Sequence, residues 1–258
     1  LNVALLGFVL LCSTNTFAKT PVQLLEDAAE RWEHIEDYTA YFQQTNIRND
    51  EEKIFLGKLL LCRSERAPGG AYLRLDYFET STDPAGQQEG AQVIETEQLR
   101  DQYFSDGETL WHYSPKDNRL TIEYLDAEGP FPEILLMAGF LEVDVDEFRE
   151  GHTFRPLETE MIRGRPTYRL TIEPRGDRVG TEPLRHIWLD QETLLPARVI
   201  TEGDITLIID LSRQKTDQEL DVASMMPMVP ETVDVIDVRN RTAVRDRPVD
   251  SQSPAEDP

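Results

Sequence analysis

Few side chains in this chain stand at the spacings that chemistry requires. The four histidines, His34, His112, His152 and His186, are far apart, and none lies at zinc-ligand spacing from another histidine, a cysteine or paired carboxylates. A metal site is therefore not expected. Cys62 has no partner in a Cys-x-x-Cys arrangement, and the chain has no Gly-x-Ser-x-Gly elbow, phosphate-binding glycine loop or dinucleotide glycine pattern. Asp190 and Glu192, beside Trp188, could be taken as a carboxylate pair of the kind hydrolases use. With 49 Asp and Glu in 258 residues such pairs arise from composition alone, and a solvated hairpin turn accounts for this one. Neither an enzymatic activity nor a cofactor is expected.

The ends of the chain suggest where it works. Leu1 to Cys12 is unbroken apolar sequence apart from Asn2, followed by Thr16-Phe17-Ala18 before Lys19, the pattern of a secretory leader and its cleavage site. Residues 1–18 are thus expected to be a signal peptide, and the protein to act in the periplasm from about Lys19 onward. Leu11 before Cys12 is too large for lipid attachment at that cysteine. Removal of the leader leaves Cys62 alone, so no internal disulfide is expected and stability must come from an ordinary core. The net charge of −23 argues against nucleic acid, since no basic stripe displaces phosphate counterions, and disfavours adsorption to anionic lipid surfaces.

Between these ends two periodicities appear. After Pro21, Leu24, Leu25, Ala28, Ala29, Trp32 and Ile35 recur at helical spacing between charged residues. From there the period falls to two: Leu73, Leu75 and Tyr77; Leu120, Ile122 and Tyr124; Tyr168, Leu170 and Ile172; Ile205, Leu207, Ile209 and Leu211. Asp106-Gly107, Pro115 to Asn118, Arg163-Gly164 and Glu202-Gly203-Asp204 supply turns between such runs. Strands joined by short turns, without intervening helices, imply antiparallel neighbours. Pro132 opens a short apolar helix containing Ile134, Leu135, Leu136, Met137 and Phe140, weakened by Gly139. Taken alone it reads as a helix packed permanently on the sheet; it could also be a movable cover. Residues 239–258, rich in charge, Pro and Ser, read as a disordered tail, which leaves residues 19–238 as one domain.

In order along the chain, particular runs resemble the LolA family of periplasmic lipoprotein carriers. Tyr38 to Gln44 (YTAYFQQ) is similar to the family's F-x-Q strand after an amphipathic helix. Gly57 to Arg63 is similar to the next strand, with a glycine six residues before an arginine, and Pro68 with Tyr72 to Tyr77 continues it after an insertion. Ser105 to Pro115 (SDGETLWHYSP) is the specific part of the likeness. Residues 129–141 occupy the place of the family's lid-like helix. Leu189-Asp190, Leu195-Pro196, Pro230 and Val233-Asp234-Val235 resemble the closing strands.

The resemblance implies a mainly β (α+β) fold: a strongly curved antiparallel sheet, an incomplete barrel, covered by the N-terminal helix and the short lid-like helix. It implies a monomeric carrier that holds lipoprotein acyl chains in an apolar cavity, taken from an inner-membrane releasing transporter and passed to an outer-membrane acceptor. Arg63 matches the family's cavity arginine, a latch on the lid, with Arg66 and Arg74 as nearby alternatives. An envelope-stress sensor and a carrier of free lipid or glycolipid share this fold.

Overall fold

The computed structural model describes residues 19–79, 98–125, 149–155, 157–227 and 229–239. The expected leader, the apolar segment with Ile134, Leu135, Leu136, Met137 and Phe140, and all of the expected tail except Arg239 lie outside these residues.

Helix α1 (Pro21–Glu33) begins with a reciprocal cap. Thr20 Oγ1 accepts from the Gln23 amide at 3.2 Å, and Gln23 Oε1 accepts from the Thr20 amide at 3.0 Å, so two amides that the helix cannot pair are satisfied. Pro21 stands in the first turn, where its missing amide costs nothing. Leu24, Leu25 and Trp32 form the buried side of the helix, and Ile35 is buried just beyond its end.

The strands then run as two meanders. The first comprises β1 (Asp37–Arg48), β2 (Glu51–Arg63), β3 (Ala71–Phe78), β4 (Leu99–Ser105), β5 (Thr109–Ser114) and β6 (Arg119–Tyr124). The second comprises β7 (His152–Phe154), β8 (Glu158–Ile162), β9 (Arg165–Pro174), β10 (Leu184–Asp190), β11 (Pro196–Glu202) and β12 (Thr206–Thr216). A short helix α2 (Val222–Met225) and strand β13 (Asp234–Asp237) follow. Antiparallel pairing of β1 with β12 joins the meanders into one thirteen-stranded sheet, ordered β13-β6-β5-β4-β3-β2-β1-β12-β11-β10-β9-β7, with β8 also on β9. The sheet is open and curved and is not closed into a barrel, as expected.

One pairing departs from the antiparallel expectation. Strand β13 runs parallel to β6. Short turns dictate antiparallel neighbours only for strands they connect, and β13 reaches the edge by a long return from β12 at the middle of the sheet.

Successive side chains point to opposite faces of a strand, and the core divides accordingly. Leu59 and Leu61 pack under α1 with Tyr38, Phe42, Leu75, Leu170, Ile187 and Ile209. Leu60 and Cys62, one residue out of step, belong to a separate cluster with Phe104 and Met225, and Ile162, Trp188 and Ala197 make a third.

Turns follow their residue types. Asn49 and Asp50 have φ of 51° and 66°, as a two-residue hairpin requires. In the β4–β5 hairpin Asp106 Oδ1 accepts from the amides of Glu108 (3.0 Å) and Thr109 (2.8 Å), while Ser105 Oγ accepts from the Gly107 amide (3.0 Å). Gly107 has φ +92°, and a Cβ on Gly69 would stand 2.5 Å from its Cα. The Ser-Asp-Gly run is therefore a turn that both orders its own backbone and admits the 64–70 loop against it.

Candidate functional site

The face of the sheet beneath α1 is the candidate site. Its polar atoms are few. Phe42 lies opposite Gly57, with its ring where a side chain at 57 would go; a Cβ there would overlap the ring and stand 2.5 Å from the Asp76 carbonyl oxygen. That pairing gives the F-x-Q strand and the glycine of the next strand one physical reason. The Gln of the same motif, Gln44, accepts at Oε1 from the Tyr77 hydroxyl at 3.0 Å and donates from Nε2 to Asn46 Oδ1 at 3.0 Å.

From Phe42 a run of rings crosses the first meander. Centroids are 5.2 Å apart for Phe42–Tyr77, 5.9 Å for Tyr77–Tyr103 and 4.3 Å for Tyr103–His112, the last pair nearly coplanar in orientation. It ends on a polar corner, where His112 Nε2 and Asp101 Oδ1 are 3.1 Å apart. Burial pushes the Tyr103 hydroxyl up to about 12, Asp101 and Glu123 adding to the shift and Arg100 opposing it. The ring run was not anticipated from the sequence, because it links residues of four strands; only the Phe42 and Gln44 spacing hinted at it.

Arg63 stands at the end of β2, in step with Leu59 and Leu61 and so on the α1 face. Its Nε donates to the Ile35 carbonyl at 3.1 Å, and its amide to the Glu36 carbonyl at 2.8 Å, tying β2 to the end of α1. Arg74, in step with Tyr72, is on the opposite face, where it pairs with Asp76 at 2.9 Å and donates to the Ser224 carbonyl at 2.8 Å. Arg66 is exposed in the 64–70 loop. The lid-helix residues that Arg63 is expected to meet lie outside the described residues.

On the opposite face, ion pairs and hydrogen bonds flank two small apolar clusters. Gln102 Nε2 donates to Asp76 Oδ1 at 2.6 Å. Trp188 Nε1 donates to Glu160 Oε2 at 2.8 Å, between the guanidinium groups of Arg169 (5.3 Å) and Arg198 (6.0 Å). Arg198 grips Asp210 with two bonds, of 2.6 and 3.0 Å.

The other side chains weighed for chemistry are spent on structure. Asp190 Oδ1 accepts from the amides of Glu192 and Thr193, each at 3.0 Å, and caps the hairpin turn. Burial pushes the Cys62 thiol up, with Asp37 and Glu36 adding, the reverse of what a nucleophile needs. His34 contacts the Glu30 carbonyl, His152 pairs with Glu182 (3.0 Å), and His186 sits between Thr171 (2.9 Å) and Glu202 (3.3 Å). Among the described residues no group of three or more His, Cys, Asp or Glu could hold a metal ion, and no helix is long and apolar enough to cross a membrane.

No family model matches the sequence, and no curated protein matches it. Solved structures do. An uncharacterized conserved protein from Thermus thermophilus superimposes with a TM-score of 0.49 at 14% identity, over 83% of this chain and 98% of that one. A putative outer membrane lipoprotein-sorting protein domain from Vibrio parahaemolyticus gives 0.40 at 13%, over 79% and 95%. A LolA superfamily protein from Nitrosomonas europaea gives 0.39 at 14%, over 81% and 99%. The chain is an open curved sheet with its N-terminal helix packed on one face and two meanders joined through β1, and it is to these proteins that it is similar.

Proposed function

We propose that the protein is a periplasmic carrier that binds the acyl chains of lipoproteins on the α1 face and passes them from the inner to the outer membrane. The observation that carries this reading is the size and chemistry of that face. Its apolar side chains span seven adjacent strands, β3 to β9 through β1 and β12. At about 4.8 Å per strand interval this is roughly 30 Å, while a helix such as α1 is only about 10 Å wide. Helix α1 spans about a third of that width, and the apolar side chains across the whole of it are buried, so acyl chains are taken in by opening this face and replacing its apolar cover. Each buried methylene contributes about 0.8 kcal/mol, so a carrier must offset part of that gain to release its cargo.

Within this reading Arg63 is the latch. Arg63 donates to the Ile35 carbonyl just after α1; on this reading it also holds the lid-like segment closed, and loading competes with that closure. Replacing Arg63 with Leu removes a charge-assisted bond of about 1.5–3 kcal/mol, so loading survives while release slows by roughly ten- to a hundredfold. The test of the function is mass spectrometry of organic-extractable molecules that co-purify, followed by timed transfer of a labelled lipopeptide to acceptor membranes. Recovery of no acylated species, and no transfer, would sink the carrier reading. Unchanged release by Arg63→Leu, with Arg66→Leu and Arg74→Leu as controls, would remove the latch alone.

A further inference from the structure

Three buried side-chain polar atoms among the described residues have no hydrogen-bond partner: Tyr38 Oη, Gln102 Oε1 and Arg169 Nε. Two of these side chains are engaged through other atoms, Gln102 through Nε2 to Asp76 and Arg169 through a terminal nitrogen to Glu158 and Glu160, both on the face away from α1. Tyr38 has only one polar atom, and it is the orphan. The residue is the second of β1, just after the α1 turn, is 1% exposed, and meets Trp32 edge-on at 5.0 Å within the α1-face core.

A phenylalanine would fill this place equally well. A buried hydroxyl without a partner weakens a fold, and in a native protein it calls for a specific explanation. A phenol can donate a hydrogen bond, and the ring it stands on meets Trp32 within an apolar core. The missing partner is then an acceptor that arrives with apolar material. An acyl chain brings one, the carbonyl oxygen of its ester or amide link, without the cost of burying a free carboxylate among hydrocarbon.

We infer that the Tyr38 hydroxyl donates a hydrogen bond to the ester or amide carbonyl at the head of a bound acyl chain and so fixes how the chain enters the α1 face. This rests on the acyl-carrier reading and adds selectivity for linked over bare hydrocarbon.

The test compares two probes of equal length, a pyrene-labelled hexadecanoic acid methyl ester and the same pyrene-labelled chain without the ester, on wild type, Tyr38→Phe and, as a control from the opposite face, Tyr72→Phe. One neutral hydrogen bond predicts that Tyr38→Phe weakens the ester by roughly three- to tenfold and leaves the hydrocarbon probe unchanged. The infrared carbonyl band of the bound ester should be shifted to lower frequency in wild type and return in Tyr38→Phe. Equal ester affinity in wild type and variant, an unshifted carbonyl band, or equal weakening of both probes would overturn the role of Tyr38 while leaving the carrier standing. Failure of wild type to bind either probe would overturn both.

Discussion

On the α1 face, contact is apolar across seven strands and the few polar side chains close on each other, as Gln44 does on Tyr77. On the opposite face of the sheet, ion pairs and hydrogen bonds recur beside two small apolar clusters: Asp76 with Arg74 and Gln102, Arg198 with Asp210, and Arg169 with Glu158 and Glu160 around Trp188. Apolar contact is non-directional, so a surface of that kind exchanges one hydrocarbon neighbour for another at small cost. Bidentate ion pairs fix geometry. The difference suggests a division of work, one face exchanging partners while the other holds strand register.

The largest effects expected from breaking this comparison lie on the α1 face. Gly57→Val drives a side chain into the Phe42 ring and the Asp76 carbonyl and should cost about 3 kcal/mol; Ile209→Ala, at a fully buried site, should also cost about 3 kcal/mol. Urea unfolding measures both, and a loss under 1 kcal/mol for either would mean that this core is looser than its burial implies.

Arg198→Ala should cost less, about 1–2 kcal/mol, because it leaves Asp210 nearly buried beside a pair that is still about one-third solvated on the arginine side. Replacing both partners with Leu should restore most of the loss. A double variant no more stable than Arg198→Ala would show that the outer pairs hold the fold by more than their own geometry.

Smaller again is Asp190→Ala, which strips the β10–β11 turn of its cap and should cost about 1 kcal/mol. Activity in the transfer assay should be unchanged; a loss of transfer with the fold intact would return Asp190 to the list of functional residues.

The last expected effect is on titration. Burial raises Tyr103 from 10.0 to about 12, so its neutral form is favoured in the folded state. Its contribution to stability is complete below pH 10 and is lost as pH rises through about 12. An absorbance titration should find a late-ionising tyrosine that disappears in Tyr103→Phe, and that variant should flatten the loss of stability between pH 10 and 12.

Much of this was legible in advance where the signal was local. The helical spacing from Leu24 to Ile35 gave α1, although the helix itself stops at Glu33 and Ile35 packs from the turn. Period-two runs gave β3, β6, β9 and β12 close to their observed limits. The Asn49-Asp50 turn carries no glycine to mark it, and the parallel direction of β13 depends on a partner more than a hundred residues away. Asp190 was readable as a turn residue from its neighbours alone.

By itself the sequence determined the helix, the four strands with a clear period of two and the glycine-dependent turns, since each depends on residues within a few positions of one another. Only the tertiary structure decided which arginine shares a face with α1, that Phe42 fills the space over Gly57, that four rings from four strands form a run, and that the Tyr38 hydroxyl is buried without a partner. The physical reason is that side-chain direction alternates with every residue, so the face a residue occupies, and everything it meets there, is set by register between strands distant in the chain.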